Sequence, residues 1–422
     1  MAGERSPSQT LPITIIGILF FIFGFVTWLN GTLIQFLKLA CGLHSDAQAL
    51  LVTFAFYMAY FFLALPSSLI LGATGYKRGM ALGLLVMAAG AVLFIPAAEA
   101  RSFGLFLSGL FVQGMGLALL QTASNPYVSV LGPIESAARR ISIMGICNKV
   151  AGALAPIALS AVVLSGAGKA EASIRAAADE QQRASLMLDL AHKVVMPYGL
   201  MALTLAILAC MVLASPLPEI VEQGDVGPES AERPRGSIFA YPHLLLGVFA
   251  IFACVGAEVM AGDVIGPYGR SLGMSLDYTK TLTSWTLGCM VLGYVVGVVT
   301  IPRRVRQEDA LRISAWIGIA LTLLVFAAPG RMSVAFVALL GLANALMWPA
   351  IFPMAIDGLG RFTKVGSALL IMGISGGAVV PQVYARVARI VPPGAAFLLS
   401  VLPCYAFILF YAGKGHRAGR GA

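Results

Sequence analysis

Charged side chains are scarce in this chain of 422 residues, of which 11% are charged and 59% are hydrophobic. A soluble domain carries about 25% charged residues, so this composition excludes an ordinary soluble fold. The four histidines, at positions 44, 192, 243 and 416, fall at the ends of apolar runs. No HExxH, nucleophile-elbow or phosphate-loop motif occurs. We therefore expect neither an enzyme nor an ATP-driven pump.

Cysteine is also sparse, and its pattern predicts no metal centre. The six cysteines, at positions 41, 147, 210, 254, 289 and 404, are scattered without a CxxC pair. Such spacing favours small core residues over a disulfide framework or a metal site, and no cofactor is expected. The formal net charge is +9, but basic patches interleaved with aromatic residues are absent. Nucleic acid is therefore not an expected partner.

Long apolar runs, by contrast, recur along the whole chain. A spanning helix needs about 20 mostly apolar residues. The first run lacks a basic segment and a small-residue cleavage site, which favours a retained helix over a signal peptide. The sequence predicts an all-α membrane protein with twelve transmembrane helices, at 11–38, 47–73, 79–98, 103–131, 139–166, 193–214, 241–268, 278–301, 309–328, 331–357, 363–390 and 393–413.

The loops predict the orientation in the membrane. Basic residues such as Lys77–Arg78, Arg139–Arg140 and Arg303–Arg304 occur in loops on the same side as the N-terminus. Because Lys and Arg favour the cytoplasmic side, we expect both termini in the cytoplasm, with the protein in a bacterial inner membrane. Residues 166–193 fall on the opposite side and are expected to form a helical external loop.

The two halves of the chain echo each other. The tetrapeptide IMGI at 143–146 recurs at 371–374, and the same offset pairs Asn30 with Glu258. We predict an N-terminal six-helix bundle (1–216), a polar cytoplasmic linker (217–236) and a C-terminal six-helix bundle (237–422). Transporters are commonly built from such pseudo-symmetric repeats, with the substrate site near the midplane between them.

Three charged residues, Lys149, Glu258 and Asp263, lie inside the apolar runs. Each costs about 2.5–3.5 kcal/mol on insertion scales, so it persists when it is paired, faces water or has a function. We expect Lys149 and Glu258 to form a pair that binds substrate and couples transport; the alternative is a structural ion pair at a helix kink. Asp263, a third coupling candidate, is expected at the outer rim because it points elsewhere on the helix.

Glycine and proline interrupt the seventh run around these carboxylates. Gly256, Gly262, Gly266 and Pro267 surround Glu258 and Asp263. The pattern predicts a helix that loosens in its outer half and lines a cavity. An ordinary kink is the alternative.

Uncharged polar residues complete the predicted site. Gln113, Gln121 and Ser124 share one stripe of the fourth span, and Asn30 and Asn148 lie within the first and fifth spans. Amides suit the hydroxyl groups of a sugar, which donate and accept hydrogen bonds. We predict substrate contacts from Gln121, Asn30 and Asn148; the alternative is hydrogen bonding between helices, worth about 0.6 kcal/mol per bond.

Two tryptophans are candidates for stacking on a pyranose ring. Trp28 belongs to the first span and Trp348 to the tenth. For both, packing or a position in the aromatic belt is the alternative. Lys149 likewise has further interpretations: a direct ligand of sugar hydroxyls, or a fixed cation that occupies the place of a coupling ion.

Five stretches resemble the major facilitator superfamily, and within it the fucose permease-like bacterial sugar symporters, most of all the glucose/galactose and N-acetylglucosamine branch. The resemblance is carried by FxFGFVTWLNG (21–31), GYKRGMALGL (75–84), LLQTASNPYVSVLGP (119–133), AARRISIMGICNKVAGALAP (137–156) and VGAE (255–258). It implies two six-helix bundles, a central sugar site, alternating access, and uptake driven by H⁺ or Na⁺.

Two positions depart from this resemblance. Proton-coupled fucose permeases carry an acidic residue after the first-span Asn, where this chain has Gly31, and a Glu where it has Gln121. Coupling to H⁺, coupling to Na⁺ and uncoupled facilitation therefore all stay open. Beside a hexose or amino-sugar transporter, the rivals are a non-transporting membrane sugar sensor and an efflux carrier for apolar drugs. We expect a monomer in the lipid bilayer.

Overall fold

The computed structural model describes residues 10–130, 137–215, 237–301 and 304–419, and for a few of these, including Asn125, the backbone alone. Within these ranges the regular structure is helical and no strand is present. The predicted linker 217–236 lies outside the described residues. The bounds of the two predicted domains therefore stay a prediction.

The first half of the chain is a series of membrane-spanning helices with short helices between them. The helices are α1 (Thr10–Thr27), α2 (Asn30–Ala40), α3 (Asp46–Ala49), α4 (Leu51–Thr74), α5 (Tyr76–Val92), α6 (Phe94–Glu99), α7 (Phe103–Val130), α8 (Ala137–Val163), α9 (Ala167–Arg175), α10 (Glu180–His192) and α11 (Val195–Ala214).

The second half repeats this arrangement. Its helices are α12 (Pro242–Gly262), α13 (Ile265–Ser271), α14 (Leu276–Thr279), α15 (Leu282–Thr300), α16 (Gln307–Ala327), α17 (Gly330–Asn344), α18 (Met347–Ile356), α19 (Thr363–Met372), α20 (Gly376–Val387) and α21 (Pro393–Gly413), with 3₁₀ turns at Ile238–Ala240, Gly360–Phe362, Gly373–Ser375 and Gly415–Arg417.

Twelve helical stretches of the described residues are long and apolar enough to cross a membrane, which confirms the predicted number of spans. The first extends over Thr14–Ala40 and the last over Pro393–Gly413, within a few residues of the predicted bounds. The largest difference is at the sixth, Glu180–Ala214, because α10 leads directly into α11. The spans form two pseudo-symmetric bundles of six.

Local caps and turns shape the end of the molecule that carries α9 and α10, called here the far side; the opposite end is the terminus side. Ser45 caps α3 by accepting a hydrogen bond from the Gln48 amide, and Asp179 caps α10 through the Gln182 amide. Gly166 takes a φ of +67°, which turns the chain from α8 into α9. The predicted helical loop 166–193 is confirmed as helical.

The seventh span is broken, as its glycines and proline predict. Helix α12 ends at Gly262 and α13 begins at Ile265. Pro267 has no N–H to offer the carbonyl of Asp263, and its ring would clash with that carbonyl in a continuous helix. The break leaves Asp263 at the C-terminal end of α12, where its N–H still donates to the Val259 carbonyl at 2.8 Å.

Candidate functional site

A cavity of about 120 Å³ lies between the two halves, near the middle of the spans. Both halves contribute to its wall, through Phe20, Phe23, Thr27, Trp28, Tyr57, Tyr60, Gln121, Ile141, Gly145, Asn148 and Lys149 from the first and Val255, Glu258, Val259, Tyr294, Trp348, Pro349 and Ile374 from the second. The structure thus brings together Trp28, Gln121, Asn148, Lys149, Glu258 and Trp348, all predicted from the sequence. Their part in binding a substrate stays a prediction.

Lys149 of α8 and Glu258 of α12 form an ion pair across the cavity. Both side chains are buried, with 8% and 9% of each residue exposed. Taking two charges out of water is costly, and their mutual attraction offsets that cost only while both are present. The predicted pairing of these two residues is confirmed, and it links the first half directly to the second.

Trp28 packs beside this ion pair. The Lys149 Nζ lies 4.4 Å from the centroid of the indole, a cation–π geometry. A Cβ on Gly152 would lie 2.3 Å from Trp28 Cδ1, and one on Gly262 would lie 2.4 Å from Trp28 Cζ3. Only 2% of Trp28 is exposed, so in this conformation it is a packing residue of the cavity wall.

Trp348 presents more of its surface than Trp28. It is half-buried, lines the cavity, and its ring stacks at 5.8 Å and 23° on Phe352. Phe352 holds the orientation of the indole, while the cavity side stays open. Of the two tryptophans, Trp348 is therefore the one placed to stack on a ligand.

Gln121 joins a group of tyrosines that the sequence analysis missed. Its Nε2 donates to the Tyr60 hydroxyl at 3.0 Å, and Tyr60 stacks on Tyr57 at 6.4 Å. These tyrosines are three residues apart in α4 and so share one helix face, a signal that was available in the sequence. The residues of the predicted polar stripe in the fourth span do not all line the cavity, because Gln113 is buried outside the cavity wall.

Asn148 belongs to the contact between the first and fifth spans as well as to the cavity. Its Nδ2 lies 3.4 Å from the Phe20 carbonyl oxygen. A Cβ on Gly24 would lie only 2.2 Å from the Asn148 carbonyl oxygen. Glycine at position 24 therefore brings α1 and α8 together and places the Asn148 amide at the cavity wall.

Asn30 is not at the cavity wall. It is fully buried, and neither its Oδ1 nor its Nδ2 has a hydrogen-bond partner among the described residues. Trp28, Gly31 and Gln35 contact the second half, so Asn30 lies on another face of the first span. The contact between Asn30 and a substrate therefore stays a prediction, because Asn30 does not reach the cavity in this conformation.

Asp263 is fully buried and lies outside the cavity wall, beyond its far-side end. The Tyr57 hydroxyl approaches its Oδ2 at 3.4 Å. On the other side is Gly31, on which a Cβ would lie 2.4 Å from Thr283 Oγ1 and 3.4 Å from Asp263 Oδ1. The structure thus places Asp263 apart from the Lys149–Glu258 pair, but fully buried and not at the outer rim that the sequence predicts.

Contacts between the halves seal the far side. Gln35 Nε2 donates to the Thr279 carbonyl at 3.2 Å, and Thr279 Oγ1 donates back to Gln35 Oε1 at 2.9 Å. Arg270 of α13 pairs with Glu171 of α9 at 2.7 Å. These links lie between the central cavity and the far-side surface, so the cavity is closed on that side.

A second cavity, of about 260 Å³, lies on the far side between α2, α9 and α13. Its charged residues are already engaged in ion pairs: Lys38 with Asp46 at 2.5 Å, Arg270 and Arg175 with Glu171 at 2.7 and 2.6 Å, and Arg183 with Glu180 at 3.9 Å. The smaller central cavity is the better candidate, because it joins both halves at the depth where the buried charges lie.

Several known proteins are similar to this chain. A family model described as the Major Facilitator Superfamily matches residues 16–381. A glucose/galactose transporter of Brucella abortus is 34% identical over 409 residues, which cover 96% of this chain and 94% of that protein. An L-fucose–proton symporter of Escherichia coli is 29% identical over 418 residues, covering 97% and 94%.

Comparison with solved structures agrees with this family. A crystal structure of the Escherichia coli fucose symporter in the outward conformation superposes with a TM-score of 0.75 at 28% identity, over 96% of this chain and 98% of that chain. The family is one of transporters, which confirms the expectation that the protein is not an enzyme. The chain belongs to the major facilitator superfamily, and its resemblance to the fucose permease-like transporters is confirmed.

Proposed function

We propose that the protein takes up a hexose or amino sugar, of the glucose, galactose or N-acetylglucosamine type, across the bacterial cytoplasmic membrane. Uptake is coupled to H⁺ or Na⁺ and proceeds by alternating access. The protein acts as a monomer with both termini in the cytoplasm. The names of the relatives from Brucella abortus and Escherichia coli support the substrate class.

The observation that carries the proposal is the Lys149–Glu258 ion pair inside a cavity lined by polar groups from both halves. A sugar hydroxyl donates to a carboxylate and accepts from an ammonium group. Sugar that enters the cavity therefore competes for the same charges that hold the halves together. This competition links sugar binding to the relative position of the two bundles.

The remaining wall of the cavity also suits a sugar. The Gln121 amide and the Tyr60 and Tyr294 hydroxyls offer hydrogen bonds, and Trp348 offers an aromatic face. An efflux carrier for apolar drugs has no use for this number of polar groups. The cavity volume of about 120 Å³ is well below the roughly 300–1,000 Å³ of pockets for drug-sized ligands, which favours a smaller molecule.

The closed far side supports an inference about the state of this conformation. With the termini in the cytoplasm, closure of the far side makes the molecule closed to the outside. The fucose symporter structure is in the outward conformation. Two such states are what alternating access requires, since the substrate must reach the same site from either side in turn.

Transport assays in proteoliposomes test the proposal. Purified protein should exchange radiolabelled D-galactose or D-glucose for internal unlabelled sugar, and an imposed pH or Na⁺ gradient should drive accumulation. Glu258→Gln should lower uptake at least tenfold, while Glu180→Gln, a change at an exposed carboxylate of α10, should leave uptake unchanged. Wild-type uptake by Glu258→Gln would contradict the proposed role of the pair.

The same assays separate the alternatives. An uncoupled facilitator equilibrates sugar and never concentrates it under either gradient. A sugar sensor binds sugar without any exchange.

A further inference from the structure

Asp263 is the second carboxyl group in the interior of the spans, and it lacks the cation that Glu258 has. It is 0% exposed, and within the described part of the chain it makes no ion pair. Its one side-chain hydrogen bond, from Tyr57, is long at 3.4 Å, and Oδ1 has no hydrogen bond of normal geometry. An ionised carboxylate is costly to bury without a cation or several donors, whereas the neutral acid is not.

Asp263 lies where the two halves close over each other. Gly31 of α2 packs on its backbone and side chain, and Thr283 of α15 contacts the same glycine. Tyr57 of α4 both donates to Asp263 and lines the central cavity. The carboxyl group is thus covered by the first half when the far side is sealed, and Tyr57 connects it to the cavity.

The charges around Asp263 leave it uncompensated. Tyr57 is the titratable group in contact with it, while α2 and α15 present the uncharged Gly31 and Thr283. Glu258 and Lys149, the nearest charged groups on the cavity side, are paired with each other. Closure of the far side therefore buries a group that must first lose its own charge.

A proton fits this position better than Na⁺. Thr283 Oγ1 donates to the Gly262 carbonyl and Thr286 Oγ1 donates to the Ala261 carbonyl, each at 2.7 Å. Asp263 is a lone carboxylate, and the described residues contain no group of three or more His, Cys, Asp or Glu side chains that could hold a metal ion. A proton needs only one carboxylate oxygen.

We propose that Asp263 carries the proton that drives uptake, a step that rests on the transport function proposed above. With the far side open, the carboxylate takes a proton from hydronium, which forms an O–H bond and leaves water. The neutral acid is then covered as the far side closes. When the cavity opens to the cytoplasm, the O–H bond breaks and the proton passes to cavity water beside Tyr57, so one proton accompanies each sugar.

Asp263→Asn tests this step, because an amide has the shape of the neutral acid but does not ionise. The variant can therefore neither take up nor release the proton. With radiolabelled D-galactose in proteoliposomes, exchange at equal pH should stay within about twofold of wild type, since sugar exchange needs no change of protonation. Accumulation driven by a pH gradient should fall to the equilibrium level. Asp189→Asn, at an exposed position of α10, is the matched control and should behave as wild type.

Three outcomes separate a failure of the Asp263 assignment from a failure of the transport function. Accumulation by Asp263→Asn under a pH gradient at the wild-type level would overturn the assignment of the proton to Asp263. So would accumulation by the wild-type protein that follows a Na⁺ gradient and ignores a pH gradient, a result that needs no variant to fold. Absence of sugar exchange by the wild-type protein would instead refute the transport function itself.

Discussion

Lys149 and Glu258 are joined across the two bundles by an ion pair that lies under the indole of Trp28. The pair is buried on all sides except the cavity, and it is a direct electrostatic link between α8 and α12. Its position makes it a bond between the two halves that also faces the central cavity.

Removal of one member should destabilise the protein more than removal of both. Lys149→Ala or Glu258→Ala alone leaves a buried charge without its partner, at a cost of about 3–5 kcal/mol. The double variant leaves no uncompensated charge, so its midpoint of thermal unfolding in detergent should lie above that of either single variant. Additive losses in the double variant would show that the two charges do not depend on each other.

Trp348→Ala should weaken sugar binding, while Trp348→Phe should retain most of it. An aromatic contact is worth about 0.5–1.5 kcal/mol, so the expected rise in Kd is between about twofold and tenfold. Equilibrium binding of D-galactose to the purified protein measures it. An unchanged Kd in Trp348→Ala would assign this indole to packing on Phe352 alone.

Gly31→Ala should hinder closure of the far side. The added Cβ would lie 2.4 Å from Thr283 Oγ1, so either Thr283 gives up its hydrogen bond to the Gly262 carbonyl or α2 moves away from α15. Spin labels at exposed positions 189 and 278, on α10 and α14, should report a longer distance by double electron–electron resonance. Gly72→Ala is the control, because its Cβ meets nothing within 4 Å; equal distances in both variants would contradict the expected obstruction.

Arg270→Gln should loosen the far side to a smaller extent. Its ion pair with Glu171 joins the halves, but the Arg270 side chain is 31% exposed, and partly exposed pairs contribute about 0–1 kcal/mol. The same labels should show a modest increase in the open population. Arg175→Gln removes the other partner of Glu171, which lies within α9; an equal effect from that change would mean that contact between the halves is not the cause.

Much of this architecture follows from local sequence patterns. The spans were predictable because a helix that crosses lipid must satisfy its own backbone and carry an apolar surface, and both requirements act over about 20 consecutive residues. The break at Asp263 was predictable because Pro267 acts on its own helix. The pairing of Lys149 with Glu258 followed from the cost of leaving either charge unpaired.

The sequence alone determined the twelve spans, the two repeated halves and the presence of three buried charges, since each of these depends on residue types and their order along the chain. The tertiary structure decided which groups meet across the halves. It placed Tyr57 and Tyr60 at the cavity, turned Asn30 away from it, and brought Gly31 against Asp263. Such contacts depend on the rotation and separation of whole helices, which the periodicity of any single helix leaves undetermined.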